Sequence, residues 1–293
     1  MITNDFKQKV LAAIAQARTA FYGSDAKFAV SIGISGSQYS RVKNGETDRV
    51  LSDANWITLA RLLDVNINSD AAWKTAATPV YQYVTAQLEI CQREGLSSML
   101  CDLSDIGKSY AAKDYAKNHT NAVYIDCSQV KSKQKLIRKI AQQLGIGCSG
   151  KYAEVYENLS FYIKTLPNPL IIIDEAGDLQ HDAFLEIKAL WNATEHCCGF
   201  YMIGADGLEH KMRVSIDNQK VGYTELFSRF GKRYGKIIPA GDESKKILDA
   251  TALMIIKANA PTGSDYNRIL RSTMGEDGKP SLRRINNELA KRK

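Results

Sequence analysis

The chain has 293 residues, 44% hydrophobic and 24% charged, which allows one large domain with one or two small ones and excludes a disordered polymer. No apolar run approaches the roughly 20 residues that cross a bilayer, and six cysteines (91, 101, 127, 148, 197, 198) and four histidines in no ligand spacing argue against a disulfide framework or a zinc site, so a cytoplasmic chain without a membrane partner is expected. The net charge of +7 is unevenly placed: residues 211–293 hold 18 Lys and Arg against 9 Asp and Glu, a basic third that suggests a polyanionic partner such as nucleic acid.

The N-terminal MITNDFKQKVLAAIAQAR reads as an amphipathic helix rather than a signal peptide. Helical periodicity then continues over residues 5–75, broken by turn signals at Gly23-Ser24-Asp25, Ile34-Ser35-Gly36 and Lys43-Asn44-Gly45, which predicts a compact α-domain over 1–75. Within it, Lys27 to Gly45 resembles the Cro/λ-repressor type of helix-turn-helix. Small Ala29 permits a close helix crossing, Gly33 a tight turn, Ile34 and Val42 core contacts, and Ser35 a cap on the second helix. In such domains the second helix meets base edges, so Ser37, Gln38, Arg41 and Lys43 are the DNA-facing candidates; packing on another protein is the alternative. Asn66 to Asp70 reads as the exit from this domain, and Thr78-Pro79 as a linker end or the start of a helix over 80–93.

From Ser97 the pattern becomes strand–helix alternation. Apolar runs at 98–101, 122–126, 170–174 and 200–204 are separated by helical stretches at 108–118, 133–144, 152–166 and 183–195. That order predicts a parallel sheet with helices on both faces over 76–240. Helix over 243–259, a polar stretch at 275–280 and a last helix over 281–291 predict a small C-terminal helical region, 241–293.

Two motifs carry chemistry. Strand 98–101 runs through a loop into Gly107-Lys108-Ser109, the end of a P-loop, in which backbone N–H groups cradle phosphates, the lysine neutralises them and the hydroxyl ligates Mg²⁺. Alone, this tripeptide also suits an ordinary helix start. The loop departs from the pattern: Asp102 replaces its first glycine, and Asp105 adds a second carboxylate that would repel a triphosphate unless turned outward. The second motif is Leu170-Ile171-Ile172-Ile173-Asp174-Glu175, an apolar strand ending in the acidic pair of a Walker B segment. Asp174 would hold Mg²⁺ and Glu175 would polarise the attacking water. Asp206, after the strand 200–204, could report on the terminal phosphate or simply sit in a turn. In Glu225-Leu226-Phe227-Ser228-Arg229-Phe230-Gly231-Lys232-Arg233, Arg229 is the first candidate and Arg233 the second for an arginine reaching a neighbour's site; a basic or DNA-facing surface is the other reading. Lys188, Lys211, Arg213, Lys232 and Arg233 are the candidate DNA contacts of the core.

Taken together, GKSYAAKDYA, IIIDEAGDL, LFSRFGKR and the helix-turn-helix before them resemble the phage Mu B transposition protein family, AAA+ ATPases that accompany DDE transposases, with Tn7-type and IstB-type helpers as more distant relatives. The resemblance implies an α/β AAA+ P-loop core that binds ATP and Mg²⁺ through Gly107, Lys108, Ser109 and Asp174. It implies Glu175 as catalytic base, Arg229 acting in trans, and Arg283 or Arg284 in Ser281 to Asn287 touching the γ-phosphate. It further implies ATP-dependent homo-oligomers or filaments on double-stranded DNA, bound without strong sequence preference, that direct target choice and stimulate a transposase. A DNA-binding repressor with a degenerate P-loop scaffold and a helicase-loader-like ATPase are the alternatives.

Overall fold

The computed structural model describes residues 2–63, 65 and 73–291, so the exit segment read at 66–70 lies outside the described residues. The N-terminal helices are α1 (Asn4–Ala20), α2 (Asp25–Ile32), α3 (Gly36–Lys43) and α4 (Asp53–Leu62). Each starts where a hydroxyl can accept an orphan N–H: Thr3, Ser24, Ser35 and Ser52 accept from Phe6, Lys27, Gln38 and Asn55. Ser35 and Gln38 form a reciprocal capping box, and Gly33 closes α2 in the left-handed region at φ 78°. Ala29, Phe28, Val42 and Trp56 are buried together between these helices.

After α5 (Pro79–Glu94), the strands β1 (Ser97–Cys101), β2 (Ala122–Asp126), β3 (Leu170–Asp174) and β4 (Gly199–Gly204) form one parallel sheet in the order β1-β4-β3-β2. β3 and β4 are buried along their whole length, which is why they read as unbroken apolar runs. One face packs on α7 (Lys133–Gln143), α8 (Tyr152–Thr165) and α9 (His181–Ala193) through Ile171, Ile173 and Met202; the other packs on α5 and α6 (Lys108–Asn118) through Leu100, Ile172 and Tyr201. Beyond β1, Gly235 pairs in parallel fashion, its N–H donating to Met99 O and its carbonyl accepting from Cys101 N.

The helices α10 (Asp206–Asp217), α11 (Tyr223–Arg229), α12 (Asp242–Asn259), α13 (Tyr266–Ser272) and α14 (Leu282–Ala290) complete the described chain. The last three share a small core of Ala252, Ile256, Ile269, Ile285 and Leu289. Trp73 packs against this core, and Lys74 exchanges two hydrogen bonds with Asn259. Residues 73–74, which the sequence groups with the N-terminal domain, therefore lie by contact on the C-terminal region.

The N-terminal domain docks on the sheet domain at backbone range. Gly145, just past α7 at φ 72°, is so close to α2 that a Cβ there would collide with the carbonyl group of Lys27. The Lys27 ammonium lies 3.8 Å from the ring centre of Tyr162. Gly145→Val should therefore undock the domain while sparing the sheet. The expected result is faster hydrogen exchange across α2 and α7 with an unchanged far-UV spectrum; native-like protection at α2 would show that the approach is not needed.

Candidate functional site

The loop from β1 to α6 is built by backbone contacts. Asp102 is buried, and its carboxylate accepts from three N–H groups, those of Leu103 (2.7 Å), Ile237 (2.5 Å) and Ile238 (2.9 Å). The first acidic departure thus ties the loop to residues 237–238 and its charge is solvated by donors. Gly107, at φ 98°, precedes α6, which opens with no side-chain cap. Lys108 is 7% exposed and its ammonium donates to the carbonyls of Asp102 and Leu103. Burial pulls its pKa below the ordinary lysine value, opposed by the nearby negative charges of Asp102, Asp174, Glu175 and Asp206.

Across the loop, β3 ends at Asp174, 2% exposed, whose carboxylate accepts from the Glu175 N–H (2.9 Å) and from the Tyr124 hydroxyl on β2. Glu175 adopts a left-handed conformation at φ 51°, uncommon for a residue with a side chain. Partial burial of its carboxyl and the adjacent Asp174 raise its pKa. Ser109, Asp174 and Glu175 converge on one cavity of about 310 Å³, with Lys113, Tyr124, Asp126, Ser128 and Asp178 completing the lining. Sequence reading missed these last five. The available signal was β2 itself: Asp126 pairs in register with Asp174, so a polar residue ending β2 must stand beside the acidic end of β3.

Asp206 opens α10 at the end of β4, exposed and 4.0 Å from Lys236. Arg229 donates to Asn192 (2.7 Å) and the Glu225 carbonyl (2.9 Å), lies over the Trp191 ring, and does not line the cavity of its own chain. The two C-terminal arginines diverge. Arg283 lies 3.8 Å from Asp105 in the loop, whereas Arg284 turns back to the Met274 carbonyl.

The candidate nucleic-acid contacts are unequal. On α3, Ser37, Arg41 and Lys43 are exposed and Gln38 half-buried; Arg41 pairs with Glu46 and Lys43 with Asp25, each at 2.8 Å. The Gln38 carbonyl is occupied by its capping box. In the core, Lys211 is half-buried and donates to the carbonyls of Gly177 (2.8 Å) and Leu179 (2.6 Å), at the end of a short 3₁₀ turn over Ala176–Asp178. Arg213 is held by Glu209 and Lys188 lies 3.9 Å from Glu225, while Lys232 and Arg233 are exposed.

Comparison with known proteins gives the frame. Residues 92–212 match the AAA domain family, which supports an ATPase-type, nucleotide-binding fold. The chain is 25% identical over 156 residues to the Mu-like prophage FluMu DNA transposition protein B of Haemophilus influenzae; the match spans 53% of this chain and 53% of that relative, about half of each. In fold it is similar to the Orc1 protein of Aeropyrum pernix, solved in complex with DNA (TM-score 0.54, 14% identity, 75% of this chain and 60% of that one). It is also similar to Cdc6p of Pyrobaculum aerophilum (TM-score 0.53, 17% identity, 76% and 62%). The likeness to Mu B read from the motifs and the α/β AAA fold class both stand. Among the described residues no helix is long and apolar enough to cross a membrane.

Proposed function

We propose that this chain, an AAA-domain protein similar to a Mu-like transposition protein B, is an ATP-dependent and largely sequence-nonspecific DNA-binding ATPase. It assembles with copies of itself on double-stranded DNA and acts with a DDE transposase in target selection and transposase activation. The observation that carries the reading is the convergence of Ser109, Asp174 and Glu175 on one cavity beside the buried ammonium of Lys108.

These residues fit ATP with Mg²⁺: a helix opening without a side-chain cap, a buried cation, and a hydroxyl and a carboxylate sharing one cavity. When bound, the nucleotide supplies the phosphoryl group whose hydrolysis resets the assembly. Lys108 would exchange its loop carbonyls for phosphate oxygens. Ser109 and Asp174 would hold the cation, with the Tyr124 hydroxyl keeping Asp174 oriented. Glu175 accepts a proton from the attacking water at its carboxylate. Asp206 senses the terminal phosphate from the edge of the site. Arg229, outside its own cavity, serves the site of a neighbouring copy.

DNA is held by the exposed edge of α3 through Ser37, Gln38, Arg41 and Lys43, and by Lys232 and Arg233 of the core, chiefly through phosphate neutralisation. The test is ATP hydrolysis by the purified protein with and without nonspecific duplex DNA, alongside sedimentation. DNA-stimulated turnover with ATP-dependent growth into large assemblies is expected. Arg229→Ala should slow turnover of the assembled protein on the order of a thousandfold, as loss of an arginine finger does, and leave nucleotide binding by the unassembled chain intact. Absence of hydrolysis and of nucleotide-dependent assembly would replace this reading with a DNA-binding repressor whose core is a scaffold.

A further inference from the structure

Of the two acidic residues in the phosphate loop, Asp102 is accounted for by its three backbone donors, but Asp105 is not. It stands in the left-handed region at φ 58° and its carboxylate is bound from the far end of the chain. The Ser281 hydroxyl donates to Oδ2 at 2.7 Å, the Arg283 N–H lies 3.5 Å from the same oxygen, and the Arg283 guanidinium 3.8 Å from Oδ1. Leu282 closes the contact: a Cβ on Gly107 would meet its Cδ1 at 3.7 Å. The start of α14, where N–H groups and the helix dipole favour an anion, thus lies against the phosphate loop with a carboxylate as its anion.

We propose that Asp105 sets the nucleotide affinity of the site by engaging the Ser281 and Arg283 donors that an incoming terminal phosphate would take. This rests on the P-loop reading above. The tie is built to be released. The Arg283 side chain is 84% exposed, so its ion pair is individually weak, and the Ser281 hydrogen bond to the less exposed Asp105 is the firmer link. A terminal phosphate carries more charge than a carboxylate and presents more acceptors, so it competes for the same donors and draws α14 with it. ADP, one phosphate shorter, competes less.

Asp105→Asn tests the idea, because asparagine keeps the shape and tolerates the left-handed backbone while losing the charge. MgATP and MgADP binding to the full chain would be measured by calorimetry, and hydrogen exchange at the 282–285 amides without nucleotide. ATP affinity should rise about tenfold and ADP affinity less than about threefold, the scale of one charge-assisted hydrogen bond. The α14 amides should exchange faster, and Ser281→Ala, which removes the donor from the other side, should speed them as well. A merely structural tie would speed exchange and leave ATP affinity unchanged, which overturns the proposal. Unchanged affinity in Asp105→Asn alongside lost binding in Lys108→Ala would overturn it and keep the P-loop reading. Nucleotide binding by neither wild type nor variants would overturn both.

Discussion

Lys108→Ala is expected to abolish ATP binding, with affinity falling at least a hundredfold, and with it all ATP-dependent DNA binding. The lysine is the buried cation at the opening of α6, and a triphosphate brings charge that the helix dipole alone neutralises only in part. Removing it also leaves the Asp102 and Leu103 carbonyls without their ammonium donor, at about 1–3 kcal/mol if they stay buried and unpaired. Thermal unfolding should therefore show a modest loss of stability with the sheet intact. The decisive measurement is nucleotide-dependent retention on DNA. If the alanine variant still binds DNA only when ATP is present, the assignment of residues 107–109 as the phosphate loop is wrong.

Glu175→Gln should separate binding from turnover. The amide keeps size and hydrogen-bonding capacity but cannot take a proton, so hydrolysis should fall by about 10²–10⁴, the usual span for a general base. ATP should still bind, and the protein should persist on DNA after excess unlabelled nucleotide is added. Faster release from DNA would contradict the assignment. The wild type offers a second check. Partial burial, then Asp174, raises the pKa of Glu175. A base must be ionised, so turnover should fall on the acid side, at a higher pH than an unperturbed glutamate would give. The glutamine variant should lack that limb.

The parallel sheet was legible because its strands leave a strong local trace. β3 is buried on both faces, so it can only be an unbroken apolar run, and its terminal Asp174 marks where chemistry begins. β2 and α6 also start and end at the predicted residues, β2 with alternate residues buried and α6 opening at the Gly-Lys-Ser turn. α10 was not read, because Ala205-Asp206-Gly207 has the composition of a turn; in the fold, Asp206 and Gly207 are the first helical residues, and the burial of Leu208 and Met212 outweighs their preference. The cavity lining was legible only in part. Tyr124 and Asp126 reach Asp174 because two strands whose paired residues are 48 apart in the chain lie in register, and no local pattern encodes that neighbourhood. Likewise, the hydrogen bonds of Lys211 depend on where the 3₁₀ turn leaves its carbonyls, whereas the sequence shows only a cation on a helix.

The approach at Gly145 bears on the assembly proposed above. A seam held by long side chains can hinge, but one where two main chains nearly touch has little room to swing. Copies stacked through their sheet domains would then carry α3 at one constant angle, like teeth cut on a single rack. The repeat distance along any bound duplex would be dictated by the stacking of the cores, with no freedom for each α3 to seek its own preferred bases.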